Sequence, residues 1–188
     1  MATDLAAKHP DIPVGREAVV AAILTSAADL FAERGPAATS IREIAARAKV
    51  NHGLVFRHFG AKQELVGAVL NYLAAGSTEL VQASATAEQL QPVMDRHARV
   101  LARTLLDGYP AGQLQTSFPG VDRMIELAQS HHDSDVSARL AVAHVLALQF
   151  GWRLFEPLIR VATGVELTAA ELRQALEVEI ARMGVSLP

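Results

Sequence analysis

Residues 49–65 read KVNHGLVFRHFGAKQEL, and three Lys or Arg side chains, two histidines and two phenylalanines fall within them. The chain around them is acidic, with a formal net charge of −3 over 188 residues. Its charge is unevenly divided: residues 1–64 carry a net +1 and residues 65–188 a net −4. Between positions 40 and 62, Arg42, Arg47, Lys49, Arg57 and Lys62 face only Glu43. A local basic patch in an acidic chain is the pattern of a surface that meets an anion.

The residues on either side place that patch on helices. Upstream, Val20, Ile23, Leu24, Ala27, Leu30 and Phe31 follow i, i+3, i+4, i+7 spacing, and Gly35-Pro36 ends a helix over about 15–34. A short helix follows from Ser40, where Ser40 and Glu43 form an S-x-x-E capping box, to about Ala48. Lys49 to His52 then make a tight turn into a second short helix that stops at Gly60. Two short helices across a tight turn make a helix-turn-helix. Its second helix has Val55 and Phe59 at i, i+4 to anchor inward, while His52, Arg57 and His58 face out, and Gly53 permits close backbone approach.

Downstream the helical pattern continues, with no alternating strand signal. From Lys62 a longer helix carries Leu65, Val66, Val69, Leu70, Leu73, Leu80 and Val81 inward, with Gly76 as a candidate kink. Further helices are expected at about 86–107, 119–130, 134–163 and 168–183, and the segment GYPAGQLQTSFPG between two of them reads as irregular. The fold class is all-α. With 51% hydrophobic residues the chain can bury a core, and its lack of cysteine excludes disulfides and thiolate metal sites. No apolar run approaches 18 residues and no signal peptide is legible, so a soluble cytoplasmic protein without membrane association is expected.

The run GPAATSIREIAARAKVNHGLVFRHFGAKQELVGAVL, residues 35–70, closely resembles the DNA-binding domain of the TetR (tetracycline repressor) family of bacterial transcription regulators. In that family the third helix commonly reads G-T-L-Y-x-H-F-x-x-K-E-x-L. Here Gly53, Leu54, Val55, Phe56, Arg57, His58 and Phe59 are followed by Lys62, Gln63 and Leu65 at the same spacing. Leu54 and Phe56 depart from the family's threonine and tyrosine, and Ala61 from its usual capping residue.

The resemblance implies three units: a flexible arm over 1–14, a three-helix helix-turn-helix DNA-binding domain over 15–62, and a helical effector-binding and dimerisation domain over 63–188. It also implies that Thr39 and Ser40 meet a phosphate, that Asn51, His52, Gly53, Leu54, Phe56 and Arg57 lie against bases or backbone, and that His58 and Lys62 approach phosphates. The expected function is ligand-responsive repression by a homodimer on a palindromic double-stranded DNA operator, released by a small-molecule effector. A helical protein-interaction adaptor without sequence-specific DNA binding is the alternative.

For the larger half, Val142, Val145, Leu146, Leu172, Leu176 and Ile180 are expected in the dimer interface, since the family commonly pairs through its last two long helices. Tyr109, Phe118, Met124, His144, Gln149 and Trp152 combine bulk with polar tips and are the expected effector pocket. His131, His132, Asp133 and Asp135 lack helical i, i+4 ligand geometry, and Asp133 or Ser134 serves instead as a cap. No hydrolase, zinc-protease, phosphate-loop or dinucleotide signature occurs, so no catalytic residue, metal or cofactor is assigned.

Overall fold

The computed structural model describes residues 12–185, and among them the regular structure is helical. Helices α1 (Arg16–Arg34), α2 (Ile41–Arg47) and α3 (His52–Phe59) are followed by α4 (Lys62–Gln82) and α5 (Ala87–Leu106). A single turn α6 (Ala111–Leu114) precedes α7 (Pro119–Ala128), α8 (Asp135–Thr163) and α9 (Ala169–Arg182). The stretch read as irregular thus contains one short helix that its Gly and Pro residues concealed. Positions 1–11 of the expected arm lie outside the described residues.

Side-chain caps set the helix starts. Ser40, Thr86, Ser134 and Thr168 each close a capping box with the third residue of α2, α5, α8 and α9, satisfying amides that have no partner within the helix. Ser134, not Asp133, is the cap of α8. His132 Nε2 lies 3.1 Å from the Met183 carbonyl oxygen, which ties this loop to the end of α9. Among the described residues no group of three His, Asp or Glu is placed to hold a metal ion. No helix among them is long and apolar enough to cross a membrane. Helix α4 runs unbroken through Gly76.

Two apolar clusters organise the chain. The first joins Ile23, Ala27 and Phe31 of α1, Ile44 of α2 and Val55 of α3 to Leu65, Val66, Val69 and Leu70 of α4, and includes Val100 of α5. Burying each large side chain contributes about 1.5–3 kcal/mol, so the short α2 and α3 are stabilised by this packing and not by their own length. The cluster continues past position 62 into α4, α5 and α6. The second cluster gathers Met124 and Ala128 of α7, Ala138, Val142 and Val145 of α8, and Ile180 of α9.

Four of the expected dimer residues, Val142, Val145, Leu146 and Ile180, belong to or pack against this second cluster. Val142 and Val145 are 1% and 0% exposed, and Leu172 and Ile180 are also buried. Leu146 packs against the same cluster and Leu176 lines a cavity. Val142, Val145, Leu172 and Ile180 therefore have little surface to offer a second copy, whereas Leu146 and Leu176 are partly exposed. The outward stripe of α8 lies on another face: Val136, Leu140, Phe155, Leu158 and Val161 are exposed, as is Val178 of α9.

Candidate nucleic-acid interface and cavity

Three local interactions shape the helix-turn-helix. Glu43 Oε2 accepts from the Ser40 amide at 2.8 Å while Ser40 Oγ accepts from the Glu43 amide at 3.2 Å. Hydrogen bonds to the carboxyl from the Ser40 amide and side chain, with Arg34 beside it, hold the Glu43 carboxyl below its ordinary pKa. The turn reverses at Lys49, whose φ of 54° is in the left-handed region, and Asn51 Oδ1 then caps α3 by accepting from the Gly53 amide at 2.8 Å. Asn51 therefore fixes the start of α3.

The helix so placed turns one side outward. His52, Gly53, Phe56 and Arg57 are exposed, and Phe56 keeps 65% of its surface in solvent. Val55 is fully buried, while Leu54 and Phe59 pack partly against the core. His58 is half-buried with its ring edge-on to Phe59, the centroids 6.4 Å apart. Leu54 thus spends part of its side chain on packing.

Thr39 is corrected by its burial. It is 1% exposed, its hydroxyl donates to the Gly35 carbonyl at 2.8 Å, and its amide donates to the Pro36 carbonyl at 3.2 Å. Both groups are used inside the turn and neither is presented to a phosphate. Ser40 is exposed beside it. The basic patch is also partly spent: Arg47 pairs with Glu33 at 2.8 Å and Asp29 at 3.6 Å, which braces α2 against α1. Arg42 and Arg57 remain exposed on the surface.

At the far end of α4 lies a cavity of about 650 Å³ between α4, α5, α7 and α8. Ser77, Thr78, Val81, Leu90, Met94, Met124, Gln149 and Arg153 are among its walls. Ser77 and Thr78 donate their hydroxyls to the carbonyls of Leu73 and Ala74, which leaves these oxygens only acceptor capacity. A smaller cavity of about 300 Å³ between α5, α8 and α9 shares Leu90, Gln149 and Arg153 with it and adds Trp152. Such mostly apolar walls with a few polar groups suit a small organic ligand.

Residues 23–69 match the family model described as bacterial regulatory proteins, tetR family. Over nearly the whole chain, the HTH-type transcriptional repressor Rv3405c of Mycobacterium tuberculosis (strain ATCC 25618 / H37Rv) is 59% identical across 184 residues, 97% of this chain and 98% of that protein. The chain belongs to the tetR family. Two solved structures share the fold: a TetR-like regulator from Rhodococcus sp. RHA1, with a TM-score of 0.56 and 24% identity over 90% of this chain and 97% of that one, and NalD of Pseudomonas aeruginosa, with 0.52 and 22% over 90% and 96%.

As a tetR-family protein the chain is a helix-turn-helix DNA-binding transcriptional repressor and not an enzyme, which sets aside the adaptor reading. The expected pocket residues divide. Met124, Gln149 and Trp152 line the cavities, whereas Tyr109 packs on the helix-turn-helix core, and Phe118 and His144 are exposed outside both spaces. Sequence reading missed Ser77, Thr78, Met94 and Arg153, because small, flexible or charged residues on three separate helices carry no local signature of a shared cavity.

Proposed function

We propose that this tetR-family repressor acts in the cytoplasm as a homodimer on a palindromic operator, and that a small-molecule effector releases it. The reading keeps 15–62 as the DNA-reading unit and 63–188 as the effector and pairing unit, with α4 belonging mechanically to both. Ser40, Asn51, His52, Gly53, Leu54, Phe56, Arg57, His58 and Lys62 make up the proposed DNA surface, with Asn51 acting chiefly as the cap of α3. The observation that carries the mechanism is the placement of α4: Lys62 opens it beside the helix-turn-helix, and Ser77 and Thr78 near its other end line the larger cavity.

At 1.5 Å per residue those two ends are about 24 Å apart. A ligand that fits the cavity better in one tilt of α4 shifts the population toward that tilt, and the separation of the two recognition helices changes with it. Pairing uses the outward apolar stripe of α8 together with exposed Val178 of α9, which a symmetric partner covers with its own copy.

The test begins with selection of bound duplexes from a random DNA pool, followed by a screen for small molecules that release the enriched sequence. An enriched palindrome and a releasing compound that changes the distance between spin labels on the two α3 helices are expected. A compound that releases the operator from the labelled dimer yet leaves that distance unchanged would overturn the mechanism.

A further inference from the structure

Asp107 caps the end of α5, yet its carboxylate reaches into the turn before α2. Its Oδ2 accepts from the Ala37 amide at 2.7 Å. The neighbouring Gly35 has φ of 84°, and a Cβ added there would lie 2.6 Å from the same oxygen. The approach therefore depends on glycine, both for its backbone angle and for the room it leaves. The turn is gripped elsewhere as well. Thr39 donates its hydroxyl to the Gly35 carbonyl at 2.8 Å, and Lys62 Nζ makes a long 3.5 Å contact with the Ala37 carbonyl.

One residue, Ala37, thus connects three helices. Its N–H is held from α5, its C=O is met from α4, and α2 begins four residues later. Burial lowers the Lys62 pKa, and the charges of Asp107 and then Glu43 pull it back up, so the same carboxylate supports the ammonium. A second link runs from α5 to α2: Arg96 pairs with Asp29 at 3.0 Å, and Asp29 lies 3.6 Å from Arg47. A carboxylate near a DNA-facing surface repels phosphate unless local donors neutralise it, and here the Ala37 amide and Lys62 do so.

We infer that Asp107 is a positioning residue for operator binding, holding the 35–37 turn so that α2 and Lys62 meet the DNA backbone in a fixed relation. It acts from α5, whose opposite end supplies Leu90 and Asp95 to the cavity walls. The inference rests on the proposed phosphate role of Lys62.

The experiment compares Asp107→Ala, Asp107→Asn and Lys62→Ala with the wild-type chain, using a duplex that the wild-type protein enriches from a random pool, over a series of salt concentrations. Asp107→Ala is expected to weaken binding about tenfold and to flatten the dependence of log Kd on log salt by about one phosphate contact per subunit. The melting transition and the dimer mass are unchanged. Asp107→Asn keeps an acceptor for the Ala37 amide and restores affinity to within about threefold of wild type. Should the Ala variant lack a cooperative melt, Asp107→Ser, too short to reach the amide, replaces it with the same expectations. Wild-type affinity and slope in the Ala or Ser variant overturn the inference, as does an Asn variant as weak as they are. An unchanged slope for Lys62→Ala overturns instead the phosphate role on which the inference rests.

Discussion

Arg153 of α8 donates from Nη1 to Asp95 Oδ1 of α5 across 2.6 Å, at the wall shared by the two cavities. Both side chains are about one-quarter to one-third exposed, at 26% and 31%, so water screens the pair only in part. Replacing Arg153 with Met keeps the apolar stem and removes the charge. A loss of about 1 kcal/mol is expected, with a coupling of similar size in a double-mutant cycle with Asp95→Asn, read by urea denaturation. Independent effects of the two substitutions would show that the contact does not hold α5 to α8.

Two glycines of α4 separate packing from propensity. A Cβ at Gly67 would lie 2.6 Å from the backbone oxygen of Leu114, whereas one at Gly76 meets nothing within 4 Å. Alanine favours a helix by roughly 1 kcal/mol over glycine at either site. At Gly67 the clash is with main chain and α6 must shift, which costs about 1–3 kcal/mol and wins. Thermal melts are expected to fall for Gly67→Ala and to rise for Gly76→Ala.

His97 gives the protein an acid-sensitive component. Burial pulls its imidazole from 6.5 down to about 4, and Nε2 is hidden without a hydrogen-bond partner. The unfolded chain binds the proton more readily, so this contribution is present above about pH 6.5 and is lost as pH falls toward 4. Its full size is at most on the order of 3 kcal/mol. The Tm of wild type is expected to fall over that window, and that of His97→Leu to fall less. Parallel curves would assign the acid sensitivity to other groups.

The proposed recognition and pairing surfaces lie on separate helices. Arg57 is exposed on α3, far in sequence from the stripe of α8. Arg57→Ala is expected to weaken operator binding by about 1–3 kcal/mol in a gel-shift titration while light scattering still reports the dimer.

The converse applies to Phe155 and Leu158, which are 55% and 66% exposed on α8. A glutamate at either position places a charge within the proposed interface, where the twofold axis brings it near its own copy. A monomer by light scattering is expected, with at least about hundredfold weaker binding to a palindrome because only one half-site is held. A dimer that persists in both variants would move the interface to another face.

The DNA-binding half was legible because its signals are local. Ser40 and Glu43 specify a capping box within four residues, and the spacing of Val55 and Phe59 turns His52 and Arg57 outward. Gly35 and Gly60 mark where helices stop. In the other half, apolar periodicity was visible on α8, but it did not distinguish Val145, which faces α7, from Leu158, which faces solvent. Both satisfy the same helical spacing rules.

The sequence by itself determined every helix except α6, their order and the family, since these follow from caps, breakers, periodicity and a contiguous motif. Tertiary structure alone decided that Thr39 is buried, that Ser77, Met94 and Arg153 share a cavity, and that Asp107 grips Ala37 seventy positions away. Those relations depend on how helices separated in the chain come to lie side by side. No short window of residues encodes that distance.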